Sequence, residues 1–195
     1  MPRPAEFDRN RALEAAMKLF WANGYTATSL PELLKAMGIA RSSFYASFHT
    51  KRDLFIECLE LFGDRTLKIV DEHARDQSAA ALPRAFFEAT LLDVSPRRVS
   101  NGCLMVNTVL ELADVDAELS ALATSKLTSI EQTFAHAFDQ AQRTGQLHRA
   151  RSPQDLARLV MTVNLGLRVK SRQNLPAAEL KLLIEDSLAM LDLAA

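Results

Sequence analysis

Residues 37–54 read MGIARSSFYASFHTKRDL, and this stretch decides the fold. It holds the end of an apolar-faced helix at Met37, a glycine turn at Gly38, a short hydroxyl-rich segment and the basic start of another helix at Lys51. A helix that enters a DNA major groove has to be short, held from behind by large apolar side chains and polar on its outward side. Phe44 and Phe48, four residues apart, share one helical face and can dock inward, which leaves Arg41, Ser42 and Tyr45 on the other. Ile39 follows the glycine and can plug the turn into the core. This order is that of a helix-turn-helix, so the chain reads first as a binder of double-stranded DNA.

Two helices lead into it. Leu13, Ala16, Met17 and Phe20 keep the i, i+3, i+4, i+7 spacing of an amphipathic helix from about Asp8 to Ala22, stopped by Asn23-Gly24. Ser29, three residues before Glu32, makes a capping-box pattern, and Leu30, Leu33, Leu34 and Met37 carry one apolar face up to Gly38. Position then sets the expected contacts. Arg41 suits a bidentate contact to guanine, with Ser42 and Ser43 on bases or phosphates. Tyr45 and His49 suit phosphates, as does Lys51, which lies at a helix start where free N–H groups also attract anions. Thr28 and Ser29 are expected to do the same from the start of helix two. For three of these a plainer role stands beside the DNA contact: Ser29 as a cap alone, Ser43 on the core side of the turn, His49 as a solvated loop residue.

With 195 residues, 48% of them hydrophobic, the chain can bury one large core or two modest ones, and seven prolines and six glycines exclude a collagen-like or low-complexity chain. The formal net charge of −1 hides an asymmetry. Residues 1–52 carry eight Lys/Arg against four Asp/Glu, a net +4, and residues 53–195 carry fifteen against twenty, a net −5. A basic head on an acidic body favours phosphate contact through one end of the molecule. No apolar signal segment follows Met-Pro-Arg-Pro, and no window approaches the ~18 apolar residues of a membrane span, so a cytoplasmic protein with no membrane partner is expected. Cys58 and Cys103 are too few for a disulfide framework. His49, His73, His136 and His148 lack any metal-ligand spacing, and no metal or other cofactor is expected.

A fourth helix is expected from Lys51 to about His73, with Phe55, Cys58, Leu59 and Phe62 inward. Gly63 is its weak point, since glycine costs about 1 kcal/mol against alanine within a helix. Further helices are expected at 79–94, then, after the Ser95-Pro96 break and an Arg97-Arg98 basic turn, at 103–113 and from about Asp116 to Thr144. Ser152-Pro153-Gln154-Asp155 supplies an N-cap, a proline at N1 and an acid at N3, and Leu156, Leu159, Val160, Val163 and Leu167 then form one stripe. Leu180, Leu183, Ile184, Leu188 and Leu191 form another after Pro176. The fold class is therefore all-α with about nine helices, divided into a reading head at 1–52 and a helical body at 53–195 that helix four links from residue 51.

The body has one unusual string, NGCLMVN at residues 101–107. It sets Cys103 at a helix start, where free N–H groups and the helix dipole favour the reactive thiolate, with Arg97 and Arg98 near in sequence. Cys103 is thus a candidate sensor, and its plainer role is a small buried hydrophobe. A pocket for a reversible ligand competes with it, walled by Phe86, Phe87, Met105, Phe134, Phe138 and Met161, with His73, Asn107 or Thr108 as polar contacts; the same side chains also read as core. A thiol-dependent enzyme is the remote alternative. The chain has no nucleophile elbow, phosphate loop or paired-carboxylate motif, and no residue is assigned a catalytic role.

The run RALEAAMKLFWANGYTATSLPELLKAMGIARSSFYASFHTKRDLF resembles the N-terminal domain of the tetracycline-repressor (TetR/AcrR) family of bacterial one-component regulators, over roughly residues 8–56. Ala40, Ser42 and Ala46-Ser47 depart from the usual pattern and bear on which operator is read. The resemblance implies a C-terminal domain that binds a small ligand and dimerises, and repression that the ligand relieves. It also implies a homodimer through the helices at about 153–172 and 177–193, paired as a four-helix bundle that sets two heads about 34–36 Å apart on DNA. The glycine-cysteine pair at 102–103 is similar to a subgroup in which some members sense electrophiles or oxidants through that thiol. A dimeric repressor whose body senses nothing is the alternative.

Overall fold

The computed structural model describes residues 7–191 and, among them, ten α-helices, one π-helical turn and no strand. The helices are α1 Arg9–Asn23, α2 Leu30–Met37, α3 Arg41–Phe48, α4 Lys51–Asp76, α5 Leu82–Phe87, α6 Pro96–Ser100, α7 Leu104–Leu112, α8 Ala117–Arg143, α9 Pro153–Ser171 and α10 Ala177–Leu191. The π-helical turn, Glu88–Leu92, continues α5.

Local chemistry fixes the ends of the head helices. Asp8 caps α1 by accepting from the Arg11 N–H at 3.0 Å. Ser29 and Glu32 close the reciprocal capping box of α2, and Gly38 ends it at φ 67, a left-handed conformation that glycine takes without a Cβ clash. The three residues 38–40 then turn the chain into α3, whose N-cap, Ala40, offers no side-chain hydrogen bond. So α3 is held by packing. Phe44 and Phe48 are fully buried, in one core with Phe20, Leu33 and Phe55, and the Phe20 and Phe55 rings meet edge-on at 4.8 Å.

The expected weak point in α4 is absent: the helix runs unbroken through Gly63. That residue is where α8 crosses, and a Cβ there would lie 2.8 Å from Lys126 Cδ. Glycine trades helix propensity for a close approach of the two longest helices. Residues 79–94 depart from one continuous helix, since α5 begins at Leu82 with proline in its first turn and then loosens into the π-helical turn. Arg97 and Arg98, expected in a turn, lie in the short α6. The last four helices start and end within a residue or two of expectation. On α9 and α10, Leu156, Val160, Leu167, Leu180, Ile184 and Leu191 are buried, while Leu165, Val169, Leu182 and Met190 stand exposed.

Besides the α1–α4 ion pairs Arg9–Glu57 and Glu14–Arg65, three polar contacts join the head to the body. The Glu111 carboxylate of α7 accepts from the Tyr25 and Thr26 N–H groups at 3.0 and 2.7 Å. Arg52 at the start of α4 donates to Asp116 at 3.0 Å and to Glu118 at 2.5 Å, where α8 begins. The Trp21 indole Nε1 of α1 donates to the Gly102 carbonyl at 3.3 Å. Among the described residues no helix is long and apolar enough to cross a membrane.

Candidate nucleic-acid interface and sensory chamber

With Phe44 and Phe48 inside, α3 turns Arg41, Ser42, Tyr45 and Ala46 to the surface. Tyr45 is 47% exposed, and its ring meets Phe44 edge-on at 5.4 Å, so its position is set from below. Ser43 is half-buried at the edge of this face. The far end of α3 is pinned by Arg9, which lies 4.6 Å over the Phe48 ring, donates to the Ser47 carbonyl at 3.3 Å and meets both Glu57 oxygens at 2.7 and 2.8 Å. No sequence pattern marks Arg9 for this, because its partners lie 38 and 48 residues further on.

The flanking residues divide. Thr28, expected to reach a phosphate, is buried instead, and its hydroxyl donates to the Gly24 carbonyl at 2.6 Å, closing the turn after α1. Ser29 is exposed, with its hydroxyl engaged to Glu32, and those hydrogen bonds hold the Glu32 carboxyl below the usual carboxylate range. His49 is exposed at the end of α3. Lys51 is half-buried with its ammonium 4.5 Å over the Tyr25 ring; burial lowers its pKa, opposed by Glu111 and Glu32. The outward set is Arg41, Ser42, Tyr45 and His49, with Lys51 at its border.

The second candidate region lies at the joint. Cys103 is the N-cap of α7, 4% exposed, and borders a chamber of about 80 Å³ together with Trp21, Phe62, Thr90, Arg98 and Arg168. Gly102 before it adopts φ 72, and the Arg98 guanidinium lies 5.5 Å from the Trp21 ring. Head and body both contribute to this wall, since Trp21 belongs to α1.

The other expected ligand contacts fall elsewhere. Phe86, Phe87, Met105 and Phe134 are fully buried core, with Phe86 edge-on to Phe134 at 5.5 Å, and none of them borders the chamber. Asn107 donates to the Asn101 carbonyl at 2.9 Å and Thr108 to the Leu104 carbonyl at 2.8 Å, so both close local backbone. His73 is half-buried on α4 outside the chamber, and His136 pairs with Gln140 at 2.9 Å. Cys58 is buried, and desolvation pushes its thiol pKa well up, which removes it as a reactive group. Among the described residues no three His, Cys, Asp or Glu side chains are grouped to hold a metal ion.

A family model described as bacterial regulatory proteins of the tetR family matches residues 12–58, and one described as the tetracyclin repressor-like C-terminal domain matches residues 81–181. The chain is 30% identical over 176 residues to the HTH-type transcriptional repressor ComR of Escherichia coli, spanning 88% of this chain and 82% of that one. It is similar to a cysteine mutant of the TetR family regulator CifR, solved in complex with 26-base-pair double-strand operator DNA. That likeness has a TM-score of 0.80 at 29% identity, over 96% of this chain and 98% of CifR. The reduced form of Escherichia coli NemR has the same fold, with a TM-score of 0.78 at 20% identity, over 96% of this chain and 97% of its own.

Proposed function

The chain belongs to the TetR family of DNA-binding transcriptional regulators, and from that premise we propose that it is a repressor which grips a palindromic operator as a two-fold dimer and releases it when a small molecule or a thiol-modifying species reaches the body. The observation that carries this reading is the outward face of α3: Arg41, Ser42 and Tyr45 exposed on a helix that Phe44 and Phe48 anchor. Such a helix offers a guanine-reading arginine with phosphate-binding groups beside it. The operator-bound CifR structure and the repressor ComR support the same use here.

Dimerisation is supported by the exposed apolar residues Leu165 and Val169 on α9 and Leu182 and Met190 on α10, the two helices through which the pair would form. Exposed apolar side chains gathered on terminal helices are what a partner of the same kind would cover. A regulator of this type acts where the chromosome is, in the cytoplasm. The family is one of transcription regulators and not of enzymes. Sensing is assigned to the Cys103 chamber because it touches α1, so that a change inside it bears on the head directly.

Anisotropy titration on DNA upstream of its own gene, at several salt concentrations, tests the first part. Tight, salt-dependent binding by a dimer, relaxed by Arg41→Ala at one base pair, is the expected result. A strictly monomeric protein, or equal affinity for that DNA and random duplex, refutes it. Release of the DNA by N-ethylmaleimide, abolished in Cys103→Ser, tests the thiol trigger. No release by thiol reagent or by any small molecule leaves a repressor whose body only dimerises.

A further inference from the structure

Arg168 of α9 is 6% exposed, and among the described residues no carboxylate forms an ion pair with it. Its nitrogens donate to Asn164 Oδ1 at 3.1 Å, to the Thr90 carbonyl at 3.0 Å and to Thr90 Oγ1 at 2.7 Å. A guanidinium has five N–H groups, so about two are left over. Burying a cation among neutral partners is costly, and burial pulls its pKa down. Thr90 sits in the π-helical turn, a distortion common at functional sites, and it is this turn that presents both oxygens to the guanidinium.

The surroundings are positive as well. The chamber that Arg168 borders shares Met17, Trp21, Arg65 and Arg98 with a wider cleft of about 460 Å³, whose rim adds Lys18 and Arg97. Five cations therefore line the combined cleft against one carboxylate, Glu14, which is already tied to Lys18 and Arg65 at 3.3 Å each. This positive charge gathers at a joint whose body carries a net −5 over residues 53–195.

We propose that the cleft between α1, α6 and α9 binds a small organic carboxylate, its anionic end against the spare N–H groups of Arg168 and its apolar part along Trp21 and Met17. Arg98 and Arg65 at the shared wall draw the anion inward. The assignment rests on the reading of the body as the sensing part and gives the effector a chemical class. A carboxylate supplies the negative charge the buried guanidinium lacks, and charge-assisted bonds of this kind are the strong ones. Because the opposite wall is α1, occupancy bears on the attachment of the head.

Trp21 is the single tryptophan of the chain, so tryptophan emission, excited at a wavelength that the two tyrosines do not absorb, reports on this cleft alone. The full-length protein is titrated with propionate and benzoate, and with propionamide and benzamide as neutral isosteres, at ionic strength held constant with sodium chloride. The acids are expected to change Trp21 emission saturably while the amides do not. Arg168→Met should abolish saturation, and Arg98→Ala, at an exposed position that keeps the test valid should the first variant not fold, should weaken it about tenfold. Equal responses to acid and amide, or no saturable response from protein that still binds DNA, overturn the site. Saturation without any change in DNA affinity upholds the anion site and removes the sensing role from it.

Discussion

The outward face of α3 and the chamber beside Cys103 are both polar sites, and the chain builds them in opposite ways. The first comes from eight consecutive residues whose polar groups face water, so the protein has only to hold the helix from behind. The second draws Trp21, Thr90, Cys103 and Arg168 from separate elements into a largely buried place, with the exposed Arg98 at its mouth. There a buried polar group has to find its partner within the protein or in a ligand. In the open site chemistry shows in what is exposed; in the closed one it shows in what is left without a counter-charge.

The sharpest way to break that contrast is to remove the support of α3. Phe48→Ala deletes a fully buried ring and the surface on which Arg9 rests, and should cost about 3–5 kcal/mol, read as a large drop in Tm with loss of binding to every DNA sequence. An unchanged Tm would mean that α3 does not depend on its inward face. Arg41→Ala should leave stability within ~0.5 kcal/mol and cost about 1–3 kcal/mol of operator binding, confined to one base pair. Lys51→Ala should weaken all sequences alike and flatten the salt dependence, which parallel titrations on operator and random duplex would distinguish from the Arg41 effect.

This division also explains what could be read beforehand. Helix ends were legible where one side chain closes them, as with Ser29 and Glu32, and the inward turn of Phe44 and Phe48 followed from their spacing alone. Thr28 looked like a surface hydroxyl next to Ser29, yet the turn at Gly24 needed its hydroxyl, a demand set by three-dimensional closure. Gly63 looked like a defect because the helix that crosses it lies far along the chain. The aromatic residues expected to wall a pocket proved to be core, since composition cannot tell a wall from a filling. Arg168 carried no signal at all: on an amphipathic helix an arginine reads as solvated, and only the fold puts it inside.

The chamber lies at the joint of head and body, and the other contacts there grade the coupling. Glu111→Gln keeps the shape of the side chain that receives the Tyr25 and Thr26 N–H groups and removes its charge. Hydrogen bonds to a charged acceptor outweigh neutral ones by roughly 1 kcal/mol, so amide exchange at Tyr25 and Thr26 should quicken about fivefold while the core amides stay unchanged. Exchange that quickens throughout would show that Glu111 serves global stability and not the joint.

The smallest effect belongs to the Arg52 clasp, which is only half-buried and so partly screened by solvent. The Arg52 guanidinium, hydrogen-bonded to Asp116, holds that carboxyl below the usual aspartate range. A group whose pKa is depressed on folding adds stability above its unfolded value, and that stability is lost as pH falls through the folded value. Melting curves should therefore decline below about pH 4, and part of the decline should vanish in Arg52→Ala, which has no partner left to lose. Glu14, Glu32 and Glu185 are depressed too, so only the difference between wild type and variant isolates the clasp. Acid limbs that coincide would show that the Arg52 clasp adds no stability of its own, and would leave α4 coupled to α8 through their packing at Gly63 and the Lys126–Asp64 ion pair.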